Sequence, residues 1–196
     1  MKVFDNFLNL NLANQIENDL TNQYFPFYLT PKVNESNENL KFSTVNKEEI
    51  NDLKNKNEVN GFQLVHVAYV DIEKHKHQSP YFTELIKIVN TLQFKTKIAL
   101  KPRRIKCNLK PQCLKANSDS FDHIHQDEDQ THYSAIYYPH DTDGDTFFFD
   151  SKYRIIDRIP PKKNRLVFFN SNIFHAAGFP TKNQVRIIIN IVMKGL

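Results

Sequence analysis

The chain has 196 residues, enough for one domain with a substantial core, and its 40% apolar and 12% aromatic content is that of an ordinary globular protein. Sixteen Phe and eight Tyr with no Trp and only four Gly describe a β-rich core of aromatic and branched residues and exclude a Gly-rich phosphate-binding loop. The formal charge of +4 is too small to name a partner. No apolar run reaches transmembrane length and MKVFDNFLNLNLANQ lacks a signal-peptide stretch, which predicts a soluble, cytoplasmic protein without a membrane partner.

In chain order, a short apolar start (Val3, Phe4, Phe7, Leu8) precedes a predicted helix over Leu12–Leu20, and Tyr24–Leu29 reads as strand-like despite Pro26. Residues 31–60 are dominated by Asn, Ser, Thr and charged side chains, the composition of a long loop, and such insertions often serve as lids or binding loops. FQLVHVAYV (62–70) suits a buried strand, with His66 expected as a satisfied sheet histidine. Phe82, Leu85, Ile86 and Val89 fall at i, i+3, i+4 and i+7, one face of a helix. From residue 97 onward the pattern becomes short strands between turns: Ile98–Leu109, Tyr133–Tyr138, Thr146–Phe149, Arg154–Asp157, Arg165–Phe169 and Val185–Met193. Strands without intervening helices predict an antiparallel sandwich or barrel. The expectation is a single α+β domain, mainly β, over 1–196. Residues 1–96 supply N-terminal helices, the polar loop and a supporting strand, and 97–196 supply the β core.

Cys107 and Cys113 have no CxxC spacing, so they predict neither a disulfide framework nor a thiolate zinc site. The basic run Lys95, Lys97, Lys101, Arg103, Arg104, Lys106, Lys110 could meet nucleic acid. The simpler expectation is a strand whose outward side is solvated by Lys and Arg.

The stretch FDHIHQDEDQ (121–130) allows three readings: a HxH pair (His123, His125), a HxD pair (His125, Asp127), or a solvated acidic turn. With 8 His in the chain, chance alone yields roughly half a HxD match, so the motif needs company. Two His and one carboxylate on one face form the ligand set of non-haem Fe(II) oxygenases, and residues i and i+2 of a strand point the same way. His175, in NSNIFHAAGFP after the strand LVFFN, is the candidate third ligand. Arg186 is the one charge in VRIIINIVM. A lone buried Arg is costly unless an anion pairs with it, and a dicarboxylate would satisfy its forked donors. Ile188 and Asn190 share its side of the strand.

Over residues 104–193 the chain resembles the catalytic core of the 2-oxoglutarate and Fe(II)-dependent oxygenases, in particular the prolyl-4-hydroxylase-like branch and its small phage-encoded members. The likeness is carried by HQD (125–127), SAIYYPHDTDGDTFFFD (134–150), PPKKNRLVFFNSNIFHAAGFP (160–180) and VRIIIN (185–190). It implies a double-stranded β-helix, or jelly roll, with His125, Asp127 and His175 as catalytic Fe(II) ligands. It implies that Arg186 anchors the far carboxylate of 2-oxoglutarate with help from Tyr138, while Tyr137 points to the other face. Asn190 and Asn108 would line the cosubstrate pocket. The turn DGDT (143–146) resembles the family's, with Asp143 where Gly is common. The implied activity is O2-dependent hydroxylation of a C–H bond with release of succinate and CO2, with ascorbate as an optional reductant. A peptidyl-proline or other peptide substrate is favoured by the branch. Alkylated nucleic acid is disfavoured because Val192 stands where the relevant demethylases carry a second Arg. A small-molecule substrate, or a cupin-like metal-binding protein without turnover, are the alternatives. His132 and His140 are expected at solvent or strand edges.

Overall fold

Alternation at period two decides the architecture. In the computed structural model, which describes residues 1–30, 57–59, 61–72, 75–128 and 132–196, β5 (Leu100–Pro111) and β11 (Val185–Gly195) pair antiparallel from Val185 opposite Pro111 to Gly195 opposite Leu100. They form the centre of an eight-stranded sheet. On one side of them stand β6 (Tyr133–Tyr138), β9 (Arg165–Asn170) and β1 (Lys2–Phe4); on the other stand β3 (Gln63–Ile72) and β2 (Tyr28–Thr30), with β4 (His75–Gln78) hairpinned onto β3. A smaller sheet runs in the order β10 (Phe174–Ala177), β7 (Thr146–Phe149), β8 (Ile155–Ile159). All of these pairings are antiparallel. Isolated bridges from Phe121 to Gly178 and from His125 to His175 lay the segment 121–125 beside β10 and so extend the small sheet. The result is the expected double-stranded β-helix.

Two helices cover the outer face of the large sheet. In α1 (Leu10–Thr21) the Asn9 side chain caps the N-terminus by accepting from the Leu12 amide, and the helix buries Ala13, Ile16 and Leu20 at helical spacing. In α2 (Phe82–Thr96) the buried stripe is Leu85, Ile88, Val89 and Leu92, and Lys97 ends the helix in a left-handed conformation with its N–H on Gln93 O. The buried face is rotated from the expected one: Phe82 and Ile86 lie at its flank. These helices pack with Ile105, Cys107, Ala135, Tyr137, Leu166, Phe168, Ile187, Ile189, Ile191 and Met193, the outward residues of the strands, as one apolar cluster. A second cluster fills part of the space between the sheets, with Ile136, Tyr138, Phe148, Val167, Phe169 and Ile188.

Several expectations are corrected. The strand expected over Tyr24–Leu29 is confined to Tyr28–Thr30, because Phe25 turns inward against His66 and Tyr81. His66 is the satisfied sheet histidine, bonded to Pro26 O and Ser79 Oγ. His175 sits in a strand rather than a turn. His132 is buried, and His140 accepts a hydrogen bond from the Ile187 amide, so neither is a solvent residue. Cys107 is buried and Cys113 half-buried, both as free thiols. The long loop expected over 31–60 falls mostly outside the described residues; of that segment, Glu58 bridges to Phe121. No helix among the described residues is long and apolar enough to cross a membrane.

Candidate active site

The two sheets enclose a cavity whose walls follow from strand parity. β5 presents Arg104, Lys106, Asn108 and Lys110; β11 presents Arg186, Ile188 and Asn190; β6 and β7 add Ile136 and Thr146. The facing sheet and its extension supply Asp122, His123, His125, Asp127, His175 and Ala177. Of the basic run, Arg104, Lys106 and Lys110 therefore face inward, contrary to the expectation of a solvated outer side, while Lys101 on the opposite parity stays exposed. Asn108 shares the parity of Arg104, Lys106 and Lys110, so its inward assignment already carried the signal that places the three cations there.

His125 and His175 are brought together by their mutual bridge, each amide donating to the other's carbonyl at 3.0 and 2.9 Å. Each ring is oriented the same way. Nδ1 lies 3.0 Å from His123 O in His125 and 2.9 Å from Ile173 O in His175, so each donates there and turns Nε2 toward Asp127. The ligand atoms of His125, Asp127 and His175 all lie within 4.8 Å of one another, the only such cluster found among the described residues. His175 Nε2 is 3.7 Å from Asp127 Oδ2 and buried without a hydrogen-bond partner. Two imidazole lone pairs and a carboxylate thus converge with no donor between them, an arrangement that repels itself unless a cation sits at its centre. Two nitrogens and one oxygen suit a divalent transition metal such as Fe(II).

The carboxylate is held on both oxygens. Arg104 Nη2 donates to Asp127 Oδ1 at 2.8 Å and Ser134 Oγ to Oδ2 at 2.7 Å, with Ser171 Oγ 2.9 Å behind Ser134. Burial raises the Asp127 pKa, but His175, Arg104, His125 and Ser134 together outweigh it and hold it at about 2. Burial foremost, then the neighbouring His175, brings His125 down to about 3, so its ring is neutral and its lone pair available. His123 is not part of the cluster: its Nδ1 is 2.6 Å from Glu58 Oε1.

Arg186 is 1% exposed and makes no ion pair with a carboxylate among the described residues. Its Nε donates to Gly144 O at 2.6 Å and one Nη to Thr146 Oγ1 at 2.9 Å, leaving the positive charge uncompensated at the cavity wall. Tyr138, fully buried, bonds the same Thr146 hydroxyl at 2.6 Å and places its ring 5.9 Å from the guanidinium. Tyr137 turns the opposite way, against Phe7, with its hydroxyl donating to Asn164. Asn108 and Asn190 line the cavity, each with an unpartnered side-chain oxygen. Lys110 and Asp122 form a buried ion pair beneath Phe179. Lys106 is lowered to about 8 by burial and by Arg104.

The DGDT turn explains its own departure from the family pattern. Gly144 has φ of +91°, and a Cβ there would lie 2.8 Å from the Phe179 carbonyl carbon, so glycine is required. The Asp143 carboxylate accepts from the amides of Thr181, Lys182 and Asn183 and from the Thr181 hydroxyl, tying the turn to the loop before β11. Asp122, Ser134 and Thr146 are site residues that the sequence did not single out, and Arg104, Lys106 and Lys110 stood out only as members of the basic run.

Residues 107–194, just under half of the chain, match the family model described as the 2OG-Fe(II) oxygenase superfamily. No curated protein sequence matches the chain. Among solved structures, a prolyl hydroxylase from Trichoplax adhaerens in complex with a hypoxia-inducible-factor peptide fragment is 13% identical, with a TM-score of 0.62 over 98% of this chain and 82% of that one. A Pseudomonas putida prolyl-4-hydroxylase is 14% identical, with a TM-score of 0.51 over 98% and 91%. An epimerase from nogalamycin biosynthesis, in complex with Fe3+, alpha-ketoglutarate and nogalamycin RO, is 12% identical, with a TM-score of 0.57 over 98% and 77%. At these identities the likeness establishes the fold.

Proposed function

We propose, from the premise that the chain belongs to the 2OG-Fe(II) oxygenase superfamily across residues 107–194, that it hydroxylates a peptide substrate, peptidyl-proline foremost, at the cavity between the two sheets. The observation that carries the assignment of the centre is the convergence of the ligand atoms of His125, Asp127 and His175 within 4.8 Å, with His175 Nε2 buried and unpartnered. When bound, Fe(II) with 2-oxoglutarate and O2 supplies the oxidation of a substrate C–H bond to C–OH, coupled to conversion of 2-oxoglutarate to succinate and CO2.

The chain's own part is orientation. His125 and His175 offer Nε2 because their Nδ1 protons are committed to backbone carbonyls, and Arg104 and Ser134 fix the plane of the Asp127 carboxylate. Arg186 grips the far carboxylate of 2-oxoglutarate, with Thr146 and Tyr138 holding the guanidinium in place and Asn108 and Asn190 lining the pocket. Ile136 and Ile188 exclude water from the same wall. The peptide preference draws on the fold shared with two prolyl hydroxylases, one of them described with a bound peptide fragment. The test supplies Fe(II), 2-oxoglutarate and ascorbate and measures succinate, with proline-rich peptides followed by mass spectrometry for a 16 Da gain. Succinate formation lost in His175→Ala is the expected result. Succinate formed equally by His175→Ala would reject the centre, and turnover only on methylated oligonucleotides would reject the peptide substrate.

A further inference from the structure

Each cation on the cavity wall but one has a partner or an assigned one. Lys110 is neutralised by Asp122, Arg104 Nη2 by Asp127, and Arg186 awaits the cosubstrate. Lys106 lines the cavity and makes no hydrogen bond or ion pair among the described residues, and Arg104 Nε is buried without a partner. With the site loaded, a divalent ion, the Asp127 carboxylate and a dicarboxylate leave a single negative charge against the three cations Arg104, Lys106 and Arg186. The cavity remains cationic.

Lys106 stands opposite Asn190 and Lys110 opposite Arg186, so four residues separate the two rungs on both strands. The positive charge left over when Arg186 takes the far carboxylate of 2-oxoglutarate is therefore carried on a different rung of the sheet from that anchor.

We propose that Lys106, with Arg104 Nε, forms a second anion site in this cavity that takes an Asp or Glu carboxylate of the peptide substrate; the assignment rests on the oxygenase reading above. The unpartnered oxygens of Asn108 and Asn190, neighbours of Lys106 along β5 and across from it on β11, add acceptors for peptide N–H groups. A phosphodiester backbone offers no such donors, which favours an acidic peptide over an oligonucleotide.

The experiment uses the full chain loaded with Mn(II) and 2-oxoglutarate and measures binding of labelled proline-containing peptides in matched pairs, Glu or Asp against Gln or Asn at the flanking positions. The acidic member is expected to bind at least tenfold more tightly. That preference should collapse to about twofold or less in Lys106→Met and return in Lys106→Arg. The dissociation constant for 2-oxoglutarate should stay within about twofold in Lys106→Met. A preference that survives Lys106→Met, equal or no binding of the paired peptides, or binding of a single-stranded oligonucleotide alone would overturn the assignment. So would a large loss of 2-oxoglutarate affinity in Lys106→Met, which would make Lys106 part of the cosubstrate anchor. Because binding is read on the Mn(II) form, failure of succinate production with Fe(II) separately rejects the oxygenase reading.

Discussion

The two faces of the large sheet are built from alternate residues of the same strands and do opposite work. Along β5 and β11 the outward residues Ile105, Cys107, Ile187, Ile189, Ile191 and Met193 pack under α1 and α2 as a continuous apolar layer. The residues between them, Arg104, Lys106, Asn108, Lys110, Arg186 and Asn190, line the cavity with charge and unpaired acceptors. Burial of the first set stabilises the fold. In the second set Lys110 and Arg104 are paired with Asp122 and Asp127, while burial of Lys106, Asn108, Arg186 and Asn190 costs stability until a partner satisfies them. The comparison teaches that a strand can carry its core and its site at a spacing of one residue, and that a shift of register by one would exchange them.

Substitutions on each face should therefore separate stability from binding. The largest effect is expected on the outer face: Ile189→Ala, fully buried under the helices, should lower the unfolding free energy by about 2–5 kcal/mol. Denaturant titration measures this, and the metal affinity of the folded fraction should be unchanged. On the inner face, Arg186→Met should weaken 2-oxoglutarate binding by about 2–4 kcal/mol, the scale of losing one partner of a desolvated charge pair. Its folding stability should change less, since the guanidinium makes no ion pair to lose among the described residues. Calorimetric titration of 2-oxoglutarate reads the first quantity; an unaltered dissociation constant would mean that the cosubstrate is anchored elsewhere.

A smaller effect is expected at the turn before β7, where Asp143 holds the 181–183 loop. Burial raises the Asp143 pKa, but hydrogen bonds from the Asn183, Thr181 and Lys182 amides and the Thr181 hydroxyl outweigh it and hold the group at about 2. A folded value below the unfolded one means that the stabilisation is complete above about pH 4 and is lost as pH falls toward 2. Asp143→Asn should cost about 1 kcal/mol at neutral pH and flatten the acid limb of the stability profile over that window.

Much of this was legible in the residues themselves. Runs of β-branched and aromatic residues announced β3, β6, β9 and β11, and the helical spacing in α1 and α2 announced the outer layer. What failed were short elements whose partners are distant in sequence. The four residues of β10 read as a turn because only pairing with β7 makes them a strand. Arg104, Lys106 and Lys110 of β5 read as solvated because charge normally faces water, and here the other sheet covers them. His132 read as a solvent or strand-edge residue; it stands just before β6 but is buried, and its carbonyl accepts from the Ser171 amide. In each case the missing information was which surface a neighbour covers, and that is set by tertiary structure.

The central claim is that His125, Asp127 and His175 form one metal centre from two separated segments. Titration of the metal-free protein with Mn(II), read as stoichiometry and affinity, tests it most directly. The account predicts one ion per chain, with affinity falling by about 100-fold or more in Asp127→Ala while circular dichroism shows an intact fold, and little change in His123→Ala. Unchanged affinity in Asp127→Ala together with a sharp loss in His123→Ala would contradict it and move the centre to the HxH pair.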